Sequence, residues 1–228
     1  MKTLIIARHG NTFRKGEPPT RVGARTDLPL VEEERARCIG KYLKRENLTP
    51  DRVYAAPLKR TTQTAKLALN EAGWSLPVLP EEGLREIDYG PDENKTEDAV
   101  IARLGKASLE KQNAPAALMT PENIAAEGEK IIALWNEKGI LPDGWNADVD
   151  AIKAFWKTFA DGIGDGETVL VVSSNGTIRF SPVLTDDYDS FCQTHDIKTP
   201  TGGICVFENR GDGWKCREWN VKPFKMFV

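Results

Sequence analysis

The sequence predicts an α/β fold, with a buried and mostly parallel central sheet flanked by helices. Two stretches point to the sheet. Residues 4–7 (Leu-Ile-Ile-Ala) form a short apolar run that ends in Arg8, His9 and Gly10 and turns polar at once. Residues 167–173 (Glu-Thr-Val-Leu-Val-Val-Ser) form a second one. Near-continuous apolar runs of this length suit strands covered on both faces. They are too short for a membrane span or a signal-peptide core. The third observation is the chain around them, where apolar residues recur at helical spacing.

The 228 residues suffice for one large domain with a sizeable core. A single domain over residues 1–228 is expected, with a helical insertion at about 91–163. Lys and Arg number 31 and Asp and Glu 34, a net charge of −3. That argues against a general binder of nucleic acid or of membrane surfaces, so any basic site is local. Cys38, Cys192, Cys205 and Cys216 are scattered, with no Cys-x-x-Cys pair. This is neither a disulfide framework nor a zinc pattern, and it suits a reducing cytoplasm. With only His9 and His195, a His-rich metal centre is excluded, and no metal is expected.

A histidine at the carboxyl end of the first strand points into the crevice where open α/β sheets bind ligands. Arg8 beside it offers a forked cation suited to phosphate. Gly10 allows close backbone approach to a bound group. Residues 11–30 read as a long loop with Arg14, Lys15, Arg21 and Arg25, a basic lip for an anionic substrate. A helix is predicted over 31–46, with Ala36, Ile39 and Leu43 on one face and acids in its first turn. A strand is predicted over 51–56, stopped by Pro57, and a helix over about 58–72. Arg60 falls in that helix's first turn, where the dipole disfavours a cation unless an anion is at hand.

Residues 76–79 suit a short third strand. Glu86 and Asp88 follow among apolar neighbours, and desolvation of a carboxyl raises its proton affinity as a general acid requires. Residues 91–163 carry three helical patterns, with Trp135 and Trp156 read as packing residues. The strand over 167–173 leads into Ser174, Asn175 and Gly176, a junction that offers hydroxyl, amide and helix-start N–H groups to an anion. A helix over 180–194, a loop over 198–203 and a hairpin of strands 203–208 and 214–219 complete the reading.

These segments, in this order, resemble the histidine phosphatase superfamily, which includes the cofactor-dependent phosphoglycerate mutases. The resemblance runs from residue 2 to about 208. It implies a three-layer, phosphoglycerate mutase-like sandwich. Residues 4–10 match the family's Arg-His-Gly strand, whose histidine becomes phosphorylated; that role falls on His9. Residues 25–30 (Arg-Thr-Asp-Leu-Pro-Leu) match the loop before the first helix. Residues 56–60, with Thr64 and Ala65, match the segment that supplies the second phosphate-binding arginine, Arg60. Residues 84–90 match the segment of the acid, on Glu86.

The fourth motif departs from the family. It usually reads Ser-His-Gly-Gly, and its histidine is a second phosphate ligand. Here Ser174 stands in that histidine's place, and His195 lies in a different loop, not expected to substitute. Asn11 stands where an acid is common, and Lys15 where an Asn often binds phosphate. The resemblance implies His9 and Glu86 as catalytic residues. It implies Arg8, Arg60, Ser174, Asn175, Asn11 and Thr12 as phosphate-binding residues, with a small phosphorylated substrate and no cofactor. The expected activity is hydrolysis of a phosphomonoester through a phosphohistidine, slowed by Ser174. A phosphoglycerate-type mutase and a silent member that binds a phosphorylated ligand or partner are the alternatives.

Overall fold

The computed structural model describes residues 1–227. Six strands form one sheet in the order β3-β2-β4-β1-β5-β6. They are β1 (Lys2–Arg8), β2 (Arg52–Ala55), β3 (Val78–Pro80), β4 (Thr168–Ser173), β5 (Ile204–Asn209) and β6 (Trp214–Val221). The pairs β3-β2, β2-β4 and β4-β1 are parallel, and β5 and β6 add an antiparallel edge. The helices are α1 (Glu34–Arg45), α2 (Lys59–Ala72), α3 (Glu97–Lys111), α4 (Pro121–Lys138), α5 (Val149–Asp161), α6 (Asn175–Ile178) and α7 (Tyr188–Thr194).

The alternation of side chains along β1 explains the three layers. Ile5 and Ala7 pack with α1 and α2 through Ile39, Leu43, Ala65 and Leu69. Leu4 and Ile6 face the other way, toward Val100, Leu104, Trp135, Trp156 and Phe180. Because β1 and β4 lie at the centre, nearly every residue on them is buried on one side or the other, hence the unbroken apolar runs.

The three helical patterns between residues 91 and 163 fold as α3, α4 and α5. Thr96, Thr120 and Asp148 cap their N-termini by accepting backbone N–H bonds. Two glycines let α3 and α4 touch backbone to backbone. A Cβ on Gly105 would lie 1.8 Å from the Ile124 carbonyl oxygen, and one on Gly128 2.0 Å from that of Ile101. Asp92, buried before α3, accepts from both Arg103 and the Trp145 Nε1 at 2.7 Å, tying the helices to the segment that leads from Glu86.

Two predicted helices differ from the observed ones. The first begins at Glu34 rather than 31; the Val31 N–H is held by the Asn11 carbonyl, and the chain bends at Val31 and Glu33 before the helix starts. The predicted helix over 180–194 is two pieces. A 3-10 turn over Ser181–Thr185 stops at Asp186, whose φ of 66° is left-handed, and Asp187 then caps α7. Among the described residues no helix is long and apolar enough to cross a membrane.

Gly128→Ala forces the two helices apart. Overpacking of this kind is expected to lower stability by about 1–3 kcal/mol, read as a shift of the urea unfolding midpoint; an unchanged midpoint would show that the contact yields freely.

Candidate active site

The candidate site lies where β1 and β4 end side by side. Arg8, the last residue of β1, is paired with Ser173, the last of β4. The next residue, His9, donates its backbone N–H to the Ser173 carbonyl at 3.1 Å. Its ring is 5% exposed, and Nδ1 lies 2.7 Å from the Gly10 carbonyl oxygen. A carbonyl only accepts, so Nδ1 carries the proton and Nε2 keeps the lone pair. The Gly10 N–H donates to Thr64 Oγ1 at 3.0 Å, and the Thr64 hydroxyl donates to the Arg60 carbonyl at 2.7 Å. Helix α2 therefore anchors Gly10, the residue whose carbonyl meets the imidazole. Burial, and then the charges of Arg8 and Arg60, hold the ring's pKa well below its ordinary value, with the Gly10 bond acting in the opposite direction. Gly10 itself sits against Leu30, 3.3 Å from a built Cβ, so its missing side chain serves packing.

Two guanidinium groups act on that ring in different ways. Arg8 donates Nη1 to the Thr199 carbonyl at 2.6 Å and leaves Nε buried without a partner. Arg60 is completely buried, and its Nη groups donate to the carbonyls of Thr26, Val22 and Gly23. It pins the long loop after β1, with only Nε left unpaired. Burial lowers the pKa of both groups, and the charge of Glu86 pulls the other way.

Glu86 is fixed from the opposite strand. The Ser173 hydroxyl donates to the Leu84 carbonyl at 2.6 Å, and the Thr177 hydroxyl to the Arg85 carbonyl. The carboxylate accepts from the Ile87 N–H at 2.9 Å and from the Gly176 N–H at 3.2 Å. The helix-start amide of Gly176, expected to face an anion, is thus engaged by Glu86. Ser174 is buried with its hydroxyl unpaired. Asn175 accepts the Thr199 N–H on Oδ1 at 2.9 Å, which fixes its amide flip and leaves Nδ2 as a donor. A similar chain sets Asn11. Arg35 Nη1 donates to Thr201 Oγ1 at 2.9 Å, and that hydroxyl donates to Asn11 Oδ1 at 2.5 Å.

Arg8, His9, Asn11, Thr12, Glu86 and Asn175 come together on the wall of one cavity of about 830 Å³. Arg60 and Ser174 are not among the residues that line it. Arg14, Lys15 and Arg21 of the predicted basic lip do line it; Arg25 instead bonds Asp88 and the Gly90 carbonyl. Seven cationic side chains face five carboxylates there, a local positive surplus on a chain of net charge −3. Sequence reasoning did not single out Arg179, Tyr89, Arg35 or Thr201 as site residues, and Trp135 was assigned to packing alone. All five line the cavity. His195 stacks on Phe191 with ring centroids 4.1 Å apart and is not part of it. Among the described residues no group of three or more His, Cys, Asp or Glu side chains could hold a metal ion.

A family model described as the histidine phosphatase superfamily (branch 1) matches residues 4–137. The chain belongs to the histidine phosphatase superfamily. A 2,3-bisphosphoglycerate-dependent phosphoglycerate mutase of Thermobifida fusca is 36% identical over 93% of this chain and 89% of its own. The fold of this chain is shared by a phosphoserine phosphatase of Entamoeba histolytica, solved with 3-phosphoglyceric acid. The TM-score is 0.67 at 19% identity, over 98% of this chain and 99% of that one. A phosphoglycerate mutase of Bacillus anthracis superposes with a TM-score of 0.67 at 19% identity, over 97% and 94% of the two chains. The α/β architecture expected from the sequence is therefore that of the superfamily. The family match stops before Ser174.

The depressed pKa of His9 has a pH signature. Below about pH 6.5 the unfolded chain takes up a proton on this ring that the folded chain does not, so stability falls as the pH falls. In His9→Asn this part of the acid loss is expected to vanish, leaving a flatter profile of urea midpoints between about pH 7 and pH 5. Parallel profiles for the two proteins would contradict a buried neutral imidazole.

Proposed function

We propose that the protein hydrolyses a phosphomonoester through a phosphohistidine on His9. The observation that carries this reading is the His9 ring: buried, neutral, locked by the Gly10 carbonyl, and flanked by two cations at the edge of a positively charged cavity. Phosphoryl transfer needs positioning and charge stabilisation more than covalent chemistry from the protein. In the first step Nε2 attacks phosphorus, the P–O bond to the alcohol breaks, and Glu86 gives its proton to the leaving oxygen. In the second, Glu86 takes a proton from water, the water oxygen attacks phosphorus, and the P–N bond breaks to release inorganic phosphate and regenerate His9.

Arg8, with an unpaired Nε, is the principal cation on the transferred group, and Arg60 adds its field from beneath. Asn11 and Asn175 offer amide N–H donors, and Thr12 a hydroxyl. Ser174 supplies no cation where the family has a histidine. Neutral donors are roughly half as strong as charge-assisted ones. Loss of one such donor costs on the order of 100- to 1000-fold in rate, so turnover is expected to be slow. A mutase reading is favoured by one observation, the mutase name of the 36% identical relative.

The test is incubation with an aryl phosphate, a sugar phosphate and the two phosphoglycerates. Release of inorganic phosphate, an acid-labile phosphoryl group on the wild type, and its absence in His9→Ala are expected. Transfer between 2- and 3-phosphoglycerate without phosphate release would assign the mutase instead. Absence of turnover and of the phosphoryl adduct would overturn both. Asn175→Ala removes a donor to a charged group and is expected to slow turnover about 10- to 100-fold; it also strands the buried Thr199 N–H, so a stability loss of about 1–3 kcal/mol is expected in thermal unfolding.

A further inference from the structure

We propose that Trp219 and Asn220, a bulge in the edge strand β6, are positioning residues for phosphoryl transfer: they set the loop over residues 196–203, and that loop aims Arg8 and Asn175 at the transferred group. This rests on the reading of His9 as the phosphoryl acceptor. It adds to that reading two residues that lie outside the cavity.

The pairing of β5 with β6 slips at this point. Ile204 is opposite Val221 and Val206 is opposite Glu218, so Trp219 and Asn220 together face the single residue Cys205. An extra residue in one strand bends it and re-aims its side chains. Asn220 absorbs the bend in the left-handed region, with a φ of 55°, which Asn adopts more readily than most residues. Both side chains then reach the same loop. The Asp196 carbonyl accepts from Trp219 Nε1 at 2.8 Å and from Asn220 Nδ2 at 2.7 Å, and Nδ2 also reaches the Lys198 carbonyl at 3.3 Å. The Trp219 ring is braced edge-on by Phe191 and Phe207, with centroids 5.0 and 6.2 Å away.

The other side of the loop holds the site. The buried Thr199 accepts Arg8 Nη1 on its carbonyl at 2.6 Å and donates its N–H to Asn175 Oδ1 at 2.9 Å. The Gly202 N–H is shared by the carbonyls of Arg8 and His9, 3.1 Å from each. The carbonyl of Lys198 and the N–H of Thr199 belong to one planar peptide unit. Asn220 therefore grips one end of a rigid plate and Asn175 the other. If the Asn220 end is released, the plate tilts, and the anchors of Asn175 and Arg8 tilt with it. A misplacement of about 1 Å caused far from the chemistry can cost on the order of 100-fold in rate. Because neither Trp219 nor Asn220 lines the cavity, an effect on turnover has to pass through the loop.

The test uses the full chain with Asn220→Gly, which keeps the left-handed backbone and removes the amide, and with Trp219→Phe, which keeps a ring and removes its N–H. Hydrolysis of p-nitrophenyl phosphate gives kcat and KM. Calorimetry gives the affinity for vanadate, which can take the five-coordinate shape of the transferring phosphorus. In each variant kcat is expected to fall about tenfold, and vanadate to bind about tenfold more weakly, with KM changed by less than about threefold. A merely structural role would leave kcat per folded molecule and vanadate affinity unmoved, and that result would overturn the proposal. A double-mutant cycle checks the route. In an Asn175→Ala background the plate is already loose at its other end, so the loss of kcat from Asn220→Gly is expected to shrink to about threefold or less. A loss as large as in the wild type would overturn the route through Thr199. If the wild type binds vanadate but turns nothing over, the phosphatase reading falls, and the positioning role is decided by vanadate alone, with the same weakening expected and equal affinity overturning it. A wild type that neither turns over nor binds vanadate would overturn both. Should Asn220→Gly not fold, Trp219→Phe takes its place in every comparison.

Discussion

The hydrogen bond from His9 Nδ1 to the Gly10 carbonyl decides which ring nitrogen is free, and much of the surrounding structure exists to make that bond dependable. Gly10 is anchored to α2 because Thr64 holds its N–H. His9 cannot retreat along the strand because its own N–H is held by β4. Burial and two neighbouring cations then keep the ring uncharged, the state in which a lone pair can be offered to phosphorus. Position and protonation state are thus set by the same few contacts.

The parallel pairing of β1 with β4 brings the remaining groups to that ring. One strand delivers Arg8 and His9; the other delivers Ser174 and Asn175 and, through Ser173 and Thr177, grips the segment that bears Glu86. Several donors that stay buried and unpaired, among them Arg8 Nε, Arg60 Nε, Arg179 Nη2 and the Ser174 hydroxyl, lie on or shortly after these strands or on α2. Native interiors rarely tolerate such groups without a role. Their concentration in and behind one cavity is the electrostatic counterpart of an anion.

What the sequence revealed and what it withheld have physical reasons. The central strands were legible because both their faces are covered, and His9 and Glu86 because each sits in a compact local motif. Arg179 was hidden because its environment comes from Trp135 on α4, far away in the chain, which no local pattern encodes. The same holds for Thr201 and Arg35, which act on Asn11 only through the fold. Arg60 was visible as a cation near a strand-to-helix junction, but not the three loop carbonyls that occupy its Nη groups. The break within 180–194 depends on a single left-handed residue, Asp186, in a stretch whose apolar spacing still looks helical.

The contact between Gly176 and Glu86 separates two requirements that share the fourth motif. A methyl group on Gly176 would intrude to 2.1 Å from the Glu86 Oε1, so this glycine answers to the carboxylate whether or not an imidazole precedes it. That demand does not depend on the side chain at position 174. One stretch of four residues thus carries a purely steric requirement at its last position, separate from any requirement of charge at its second.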